Sequence, residues 1–413
     1  MIVFTTLMFF GAITFFVPRK YLRYYMIIAA VGISSLYFFF NPHPSWDLYR
    51  HYEALAEIRK LDLRSIILGT FDTSQWLVED YKDSTRLYLV YAYLIGLLNN
   101  DKMLTVITGV IIYTVASRII VMTDRDIGEG VDDWKLAFCF FFLLAALDFR
   151  TISGIRNMMA YVLFVFVLYL DLVRKKNTLL CLVAYVLLTQ LHSSIYILLV
   201  LRVFMMFRKV VPTLVLAAAA LLLFSFSNVI SEFLTHFSSS PAIVDVINKI
   251  NGYSNRSGMA LMDAYVIIRY VRLVLTIIYL LLYRYVMTRI PESEKYRDYG
   301  EFFLLVIMFA LGAYRQYDTF VRSNIVMYFM ACPFVLLFLK HVVTSSPFEL
   351  ELPRNVTVGF SEFWMYMMIL IIIVFSLIIY LAAYYPSMDS GFMGAQQQTE
   401  SITWLAFVDG AMR

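Results

Sequence analysis

Charge is scarce in this chain. Only 15% of its 413 residues are Asp, Glu, Lys or Arg, against 61% hydrophobic. Soluble domains carry about 25% charge, so a water-exposed globule is excluded and an integral membrane protein is expected. Polar linkers and low-complexity tracts are missing, so residues 1–413 read as a single transmembrane domain rather than a soluble domain on an anchor. Cysteine is limited to Cys139, Cys181 and Cys332, each inside an apolar run. They read as small packing residues. No disulfide framework or metal-ligand spacing is present, and neither a metal nor another cofactor is expected. Basic residues form no patch of the kind that binds nucleic acid, so no such partner is expected. The start, MIVFTTLMFFGAITFFVPRK, has no basic residue ahead of its apolar run. It is expected to be a retained first span with its N-terminus outside. No internal repeat is visible, which counts against many transporter folds.

Long apolar runs fill the sequence instead. Those long enough to span begin near residues 1, 22, 103, 157, 178, 194, 211, 264, 302, 323 and 361. LYLVYAYLIGLL (87–98) and LAFCFFFLLAAL (136–147) are shorter, and a straight crossing needs about 20 residues. Lys and Arg gather at 18–23, 174–177, 207–209 and 289–297, which the positive-inside rule puts in the cytoplasm. Between an outer 41–86 and an inner 174–177 the number of crossings must be odd, yet four apolar runs intervene. The segment 87–98 is therefore expected to lie re-entrant or interfacial. The fold class that follows is all-α, a polytopic membrane protein of about 12 transmembrane helices. Its outer face collects the loops 41–102 and 228–263, the turn at His192 and the segment 313–322, while the inner half of the spans reads as nearly uncharged.

The outer side should be poor in basic residues, yet Arg150, Arg156, Arg269, Arg272, Arg315 and Arg322 fall there. Guanidinium stays charged when desolvated and matches phosphate oxygens in pairs. Arg269 and Arg272 are three apart, and Arg315 and Arg322 seven apart, so each pair would share a helix face. Gly154, between Arg150 and Arg156, offers a break that lets both converge. The plainer alternative is that such arginines snorkel to headgroups or pair with Asp148, Asp263 or Asp318. In the first loop, NPHPSWDLYRHYEAL places Asp47, Arg50 and His51 at i, i+3 and i+4, beside Tyr52. An acid beside a base and aromatics suits a sugar hydroxyl; local ion pairs on an amphipathic helix are the alternative. His192, in TQLHSSIYILL, stands at a tight outer turn. It reads as a general base or a phosphate contact, or as a packed histidine. The loop 228–263 reads as a lid or as an ordinary connection.

PSWDLYRHY, GIRNMMAYVLFVFVLYLDLVRKKN and LHSSIYILL, in this order, resemble the EpsG/Wzy group of polysaccharide polymerases. The D-x-x-x-Y-like element falls on Asp47 with Tyr49 and Tyr52, R-x-x-[IM]-A on Arg156 with Met159 and Ala160, and H-x-S on His192 with Ser194. The resemblance runs from about residue 41 to 200 and more loosely to 340. The glycine that usually precedes the first-loop aspartate is absent. The resemblance implies a glycosyltransferase of the multi-span C type in the bacterial inner membrane, with its site on the outer face. It implies polyprenyl-diphosphate-linked oligosaccharides as substrates, no metal, and a chain-length regulator and a flippase as partners. Site residues are expected in three roles. Asp47 or His192 is the base, the six arginines hold diphosphate, and Arg50, His51 and Tyr52 bind the acceptor sugar. A lipid-linked oligosaccharide flippase and another polyprenyl-phosphate sugar transferase or ligase are the competing readings.

Overall fold

The computed structural model describes residues 9–39, 47–73, 85–128, 136–140, 154–223, 263–344, 349–352 and 356–359, with positions 78, 81, 82 and 143 between them. The first eight residues of the expected span near 1, the span near 361, half of 136–147, Arg150 and the loop 228–263 up to residue 262 lie outside the described residues.

Twelve helices are labelled here in chain order. They are α1 (Arg19–Ser35), α2 (Asp47–Ile58), α3 (Leu63–Leu68), α4 (Arg86–Gly96), α5 (Lys102–Ile127) and α6 (Ile155–Leu172). Then follow α7 (Thr178–Thr189), α8 (Ile195–Met206), α9 (Thr213–Leu223), α10 (Asp263–Arg289), α11 (Arg297–Gly312) and α12 (Tyr317–Thr344). The all-helical expectation has one exception, a short antiparallel hairpin of β1 (Glu349–Leu352) and β2 (Val356–Gly359).

Among the described residues, five helical stretches are long and apolar enough to cross a membrane: Arg19–Phe38, Lys102–Ile127, Ile155–Leu172, Arg269–Arg289 and Tyr317–His341. This is the make-up of a membrane-embedded protein. The runs expected to span from 178 and 194 form α7 and α8, of 12 residues each, about 18 Å at 1.5 Å per residue. The Gln190–Ser194 turn divides the apolar stretch, so neither half matches a hydrocarbon layer of about 30 Å. Helix α4 has 11 residues, about 16 Å, and packs against α2, α3 and α5 rather than reaching across.

Small residues set the closest helix contacts, as expected where apolar surroundings give helices no hydrophobic reason to associate. On α1 and α5, a Cβ added to Gly109 would meet Ser34 Oγ at 2.7 Å. On α9 and α11, a Cβ at Gly312 would overlap the Leu221 carbonyl. A carbonyl cannot swing aside as a side chain does. Gly312→Ala is therefore expected to destabilise the protein by ~1–3 kcal/mol. Thermal unfolding of purified protein in detergent checks this; an unchanged midpoint would show that α9 and α11 do not approach so closely.

Ion pairs tie several elements together at one end of the molecule, while at the other Arg59, after α2, bonds Asp101 ahead of α5. Arg19, at the start of α1, bonds Asp124 near the end of α5. Asp126 takes Arg174 at 2.9 Å and Lys295 at 3.3 Å. Asp298, at the start of α11, takes Lys175 and Arg208, and Lys340 of α12 reaches Glu292 at 3.5 Å. The opposite end carries α2, α3, α4, the Gln190–Ser194 turn and the starts of α6, α10 and α12. It is called the loop end below.

One pair sits deeper. Arg202 Nε and Nη2 donate to Asp171 Oδ2 at 2.9 and 2.8 Å, and the Tyr185 hydroxyl donates to the same oxygen at 3.1 Å. Asp171 and Arg202 are both buried. Residues of three successive helices thus meet at one oxygen and pin α6, α7 and α8 together. The expectation of nearly uncharged inner halves is corrected here: burial of this pair depends on each charge satisfying the other.

Candidate functional site

The helix α2 explains the first group. Leu48, His51, Leu55 and Ile58 repeat at i, i+3, i+7 and i+10 and are buried, so His51 belongs to the apolar stripe that seats α2 on its neighbours. Two tyrosine hydroxyls meet its Nδ1, Tyr81 at 3.1 Å and Tyr88 at 2.9 Å. The rings of Tyr81 and Tyr88 stand edge to face, 5.3 Å apart at 88°. Burial, and then the charge of Arg156, hold the His51 imidazole well below its usual range, so it is neutral.

Arg156 lies against this box. Its guanidinium sits 4.0 Å from the Tyr81 ring centroid and 5.3 Å from that of Tyr88. Its Nη1 donates to Thr85 Oγ1 at 3.4 Å. Gly154 stands ahead of α6 with a non-helical ψ of 57°, so α6 begins only at Ile155 and Arg156 is in its first turn. Each aromatic face contributes ~0.5–2 kcal/mol to a cation. No carboxylate lies within ion-pair distance of Arg156 among the described residues, although Arg156 is half-buried.

His192 belongs to the neighbouring turn. The backbone N–H of Tyr88 donates to the Gln190 carbonyl at 3.2 Å, joining α4 to that turn. His192 Nδ1 lies 2.6 Å from Ser194 Oγ, which is 2.7 Å from the hydroxyl of Tyr161 on α6. Tyr81 and Tyr88 thus hold His51 and Arg156 together, and Tyr161 lies beside His192 in the adjoining turn.

The remaining arginines form a second group at the same end. Arg269 faces Tyr314 and Tyr317, with centroids at 5.8 and 5.9 Å, and its Nε is buried without a hydrogen-bond partner. Arg272 Nη1 donates to the Val321 carbonyl at 3.4 Å, beside Arg322. Below them Thr276 and Asn324 join α10 to α12 through a 3.2 Å hydrogen bond. Arg315 and Arg322 do not share one helix face as expected. Gly312 ends α11, and α12 starts at Tyr317, which leaves Arg315 exposed in the turn and Arg322 partly buried in the helix.

The first-loop expectation needs the largest correction. Asp47, Arg50 and His51 do not form one surface. The Asp47 and Arg50 side chains are 77% and 46% exposed and 3.7 Å apart, a surface pair of small effect. His51 is turned into the core. Tyr52 is engaged elsewhere: its hydroxyl bonds Thr105 Oγ1 at 2.6 Å, and burial pushes its pKa up to about 12. An acceptor site of Arg50, His51 and Tyr52 is therefore not assembled. The residues that sequence reading missed are Tyr81, Thr85 and Tyr88. No helical spacing signalled them, because Thr85 breaks the chain ahead of α4 and Tyr81 and Tyr88 come from different elements.

In comparisons with protein-family models, curated proteins and solved structures, the chain matches none.

Proposed function

We propose that this protein is a membrane glycosyltransferase that joins polyprenyl-diphosphate-linked oligosaccharides on the outer face of a bacterial inner membrane, without a metal. The ion-pair end is cytoplasmic in this reading and the loop end faces outward. The crossing number stays at about 12, with the shorter helices and the undescribed runs contributing. One observation carries the reading. At the loop end Arg59 is paired with Asp101, as Arg174 and Arg208 are paired with acids at the ion-pair end, but Arg156 and Arg269 rest on tyrosine faces with no carboxylate in ion-pair reach among the described residues. Aromatic faces hold a guanidinium in place but leave its charge for an anion. A lipid diphosphate that gains charge as it departs suits that arrangement, because preorganised cations in a low-dielectric site stabilise developing charge.

In the reaction, the bond between the anomeric carbon and the diphosphate oxygen breaks, with the electron pair staying on the diphosphate. The acceptor hydroxyl oxygen bonds to the anomeric carbon and gives up its proton. Arg156 sits where it can hold one diphosphate, and Arg269, Arg272 and Arg322 provide a second anion group. Arg315, exposed at the α11–α12 turn, is a first contact for an arriving lipid. Asp47, exposed at the start of α2, remains accessible to an acceptor.

Reconstitution tests the proposal. Purified protein in liposomes, given a polyprenyl-diphosphate oligosaccharide on one side, is expected to yield longer saccharides on that side. Movement of the unchanged lipid to the other leaflet, with no longer product, would identify a flippase and refute the transferase.

A further inference from the structure

The Gln190–Ser194 turn fixes the hydrogen on His192. The backbone N–H of Ser194 points at His192 Nδ1 from 3.1 Å. An amide N–H only donates, so Nδ1 presents its lone pair. The Ser194 hydroxyl is 2.6 Å from the same nitrogen, and the Tyr161 hydroxyl is 2.7 Å from Ser194 Oγ. One arrangement fits these three contacts. Tyr161 O–H donates to Ser194 Oγ, Ser194 O–H donates to Nδ1, and Ser194 N–H donates to Nδ1. In the neutral ring the hydrogen then resides on Nε2.

We infer that His192 acts as a hydrogen-bond donor through Nε2–H to an oxygen of the lipid diphosphate, and not as the base on the acceptor hydroxyl. The inference rests on the glycosyl-transfer reading above. To accept a proton at Nε2, the neutral ring would have to carry its hydrogen on Nδ1, pointed head-on at the Ser194 N–H. Nδ1 itself is taken up by two donors of its own turn, and His192 is 7% exposed. The acceptor proton must therefore go elsewhere, to Asp47 or to an oxygen of the departing diphosphate. The same turn explains the H-x-S spacing physically: a histidine two residues ahead of an amide N–H accepts from it, as Asx side chains do in turns.

Two measurements on the full-length protein test this. The first is polymerisation by His192→Gln, His192→Asn and His192→Ala. A glutamine amide nitrogen reaches the place of Nε2; an asparagine amide nitrogen reaches only that of Nδ1. Loss of a donor to developing charge costs on the order of 10²–10³-fold in rate. His192→Ala and His192→Asn should show that loss, and His192→Gln should recover most of it. A glutamine variant as slow as the alanine one overturns the donor role, as does an alanine variant at full rate. The second is nitrogen-15 NMR of histidine-labelled protein in nanodiscs, with the His192 signals assigned by their loss in His192→Gln. A protonated Nε2 and an unprotonated Nδ1 are expected; the reverse overturns the inference whatever the activity. If Arg156→Ala polymerises normally, the diphosphate role of Arg156 fails, and if the unaltered protein makes no longer saccharide, the transferase reading fails; in either case the ring assignment is decided separately by the NMR.

Discussion

Arg156→Ala is expected to lower the polymerisation rate by ~10²–10³-fold, the usual cost of removing one group that stabilises developing charge. The fold should survive. Arg156 is half-buried and its partners are two ring faces and one long hydrogen bond to Thr85, so little else depends on it. Arg156→Lys makes the argument sharper. Lysine keeps the charge but loses the planar fork and the stacking on Tyr81, so it should restore only part of the rate. Initial rates of chain extension, measured beside the thermal midpoint of each variant, decide the matter. A slow Arg156→Ala protein with an unchanged midpoint supports the diphosphate role. Loss of both would make Arg156 a structural residue only.

Asp171→Ala is expected to destabilise the protein by ~3–5 kcal/mol, because it strands a buried guanidinium. The Asp171 and Arg202 side chains are 2% and 9% exposed, so water cannot take over from the lost carboxylate. Tyr185 would lose its acceptor as well. The double replacement Asp171→Leu with Arg202→Met removes both charges and should recover most of the loss, since an apolar substitute for a whole buried pair is often neutral or better. Thermal unfolding in detergent separates the cases. If the double variant is no more stable than Asp171→Ala, the pair contributes through shape and not through charge.

Much of the helical plan was readable from composition, because apolar runs of span length have few alternatives in a chain with so little charge. Stretches beginning near 22, 103, 157 and 323 do form helices of crossing length. The expectation failed on length: the runs from 178 and 194, correctly divided at the His192 turn, form helices of only 12 residues each. Apolar residues continue close to the turn on both sides, so hydropathy does not show where each helix stops. At the candidate site, Arg156 and His192 were legible as polar residues at helix edges. The role of His51 was not. Its neighbours in sequence, Asp47 and Arg50, suggested a polar face, whereas Leu48 and Leu55 on the same stripe decide where the side chain goes. Tyr81 and Tyr88 were hidden for a different reason: an aromatic in an apolar chain looks like packing until a cation is found resting on it. The Asp171–Arg202 pair joins residues far apart in sequence, and a single sequence carries no sign of such a contact.

The ion-paired end has a mechanical consequence. Each of its salt links is partly exposed and contributes at most about 1 kcal/mol alone. Together, however, they stitch α1 to α5, α5 to the segment after α6, and the segment after α8 to α11. A cycle that opened the protein alternately toward the two leaflets would have to undo this whole seam in every turnover. A machine that admits its cargo and releases its product through the same rim never needs to, and the seam can serve as the fixed base against which the other rim breathes.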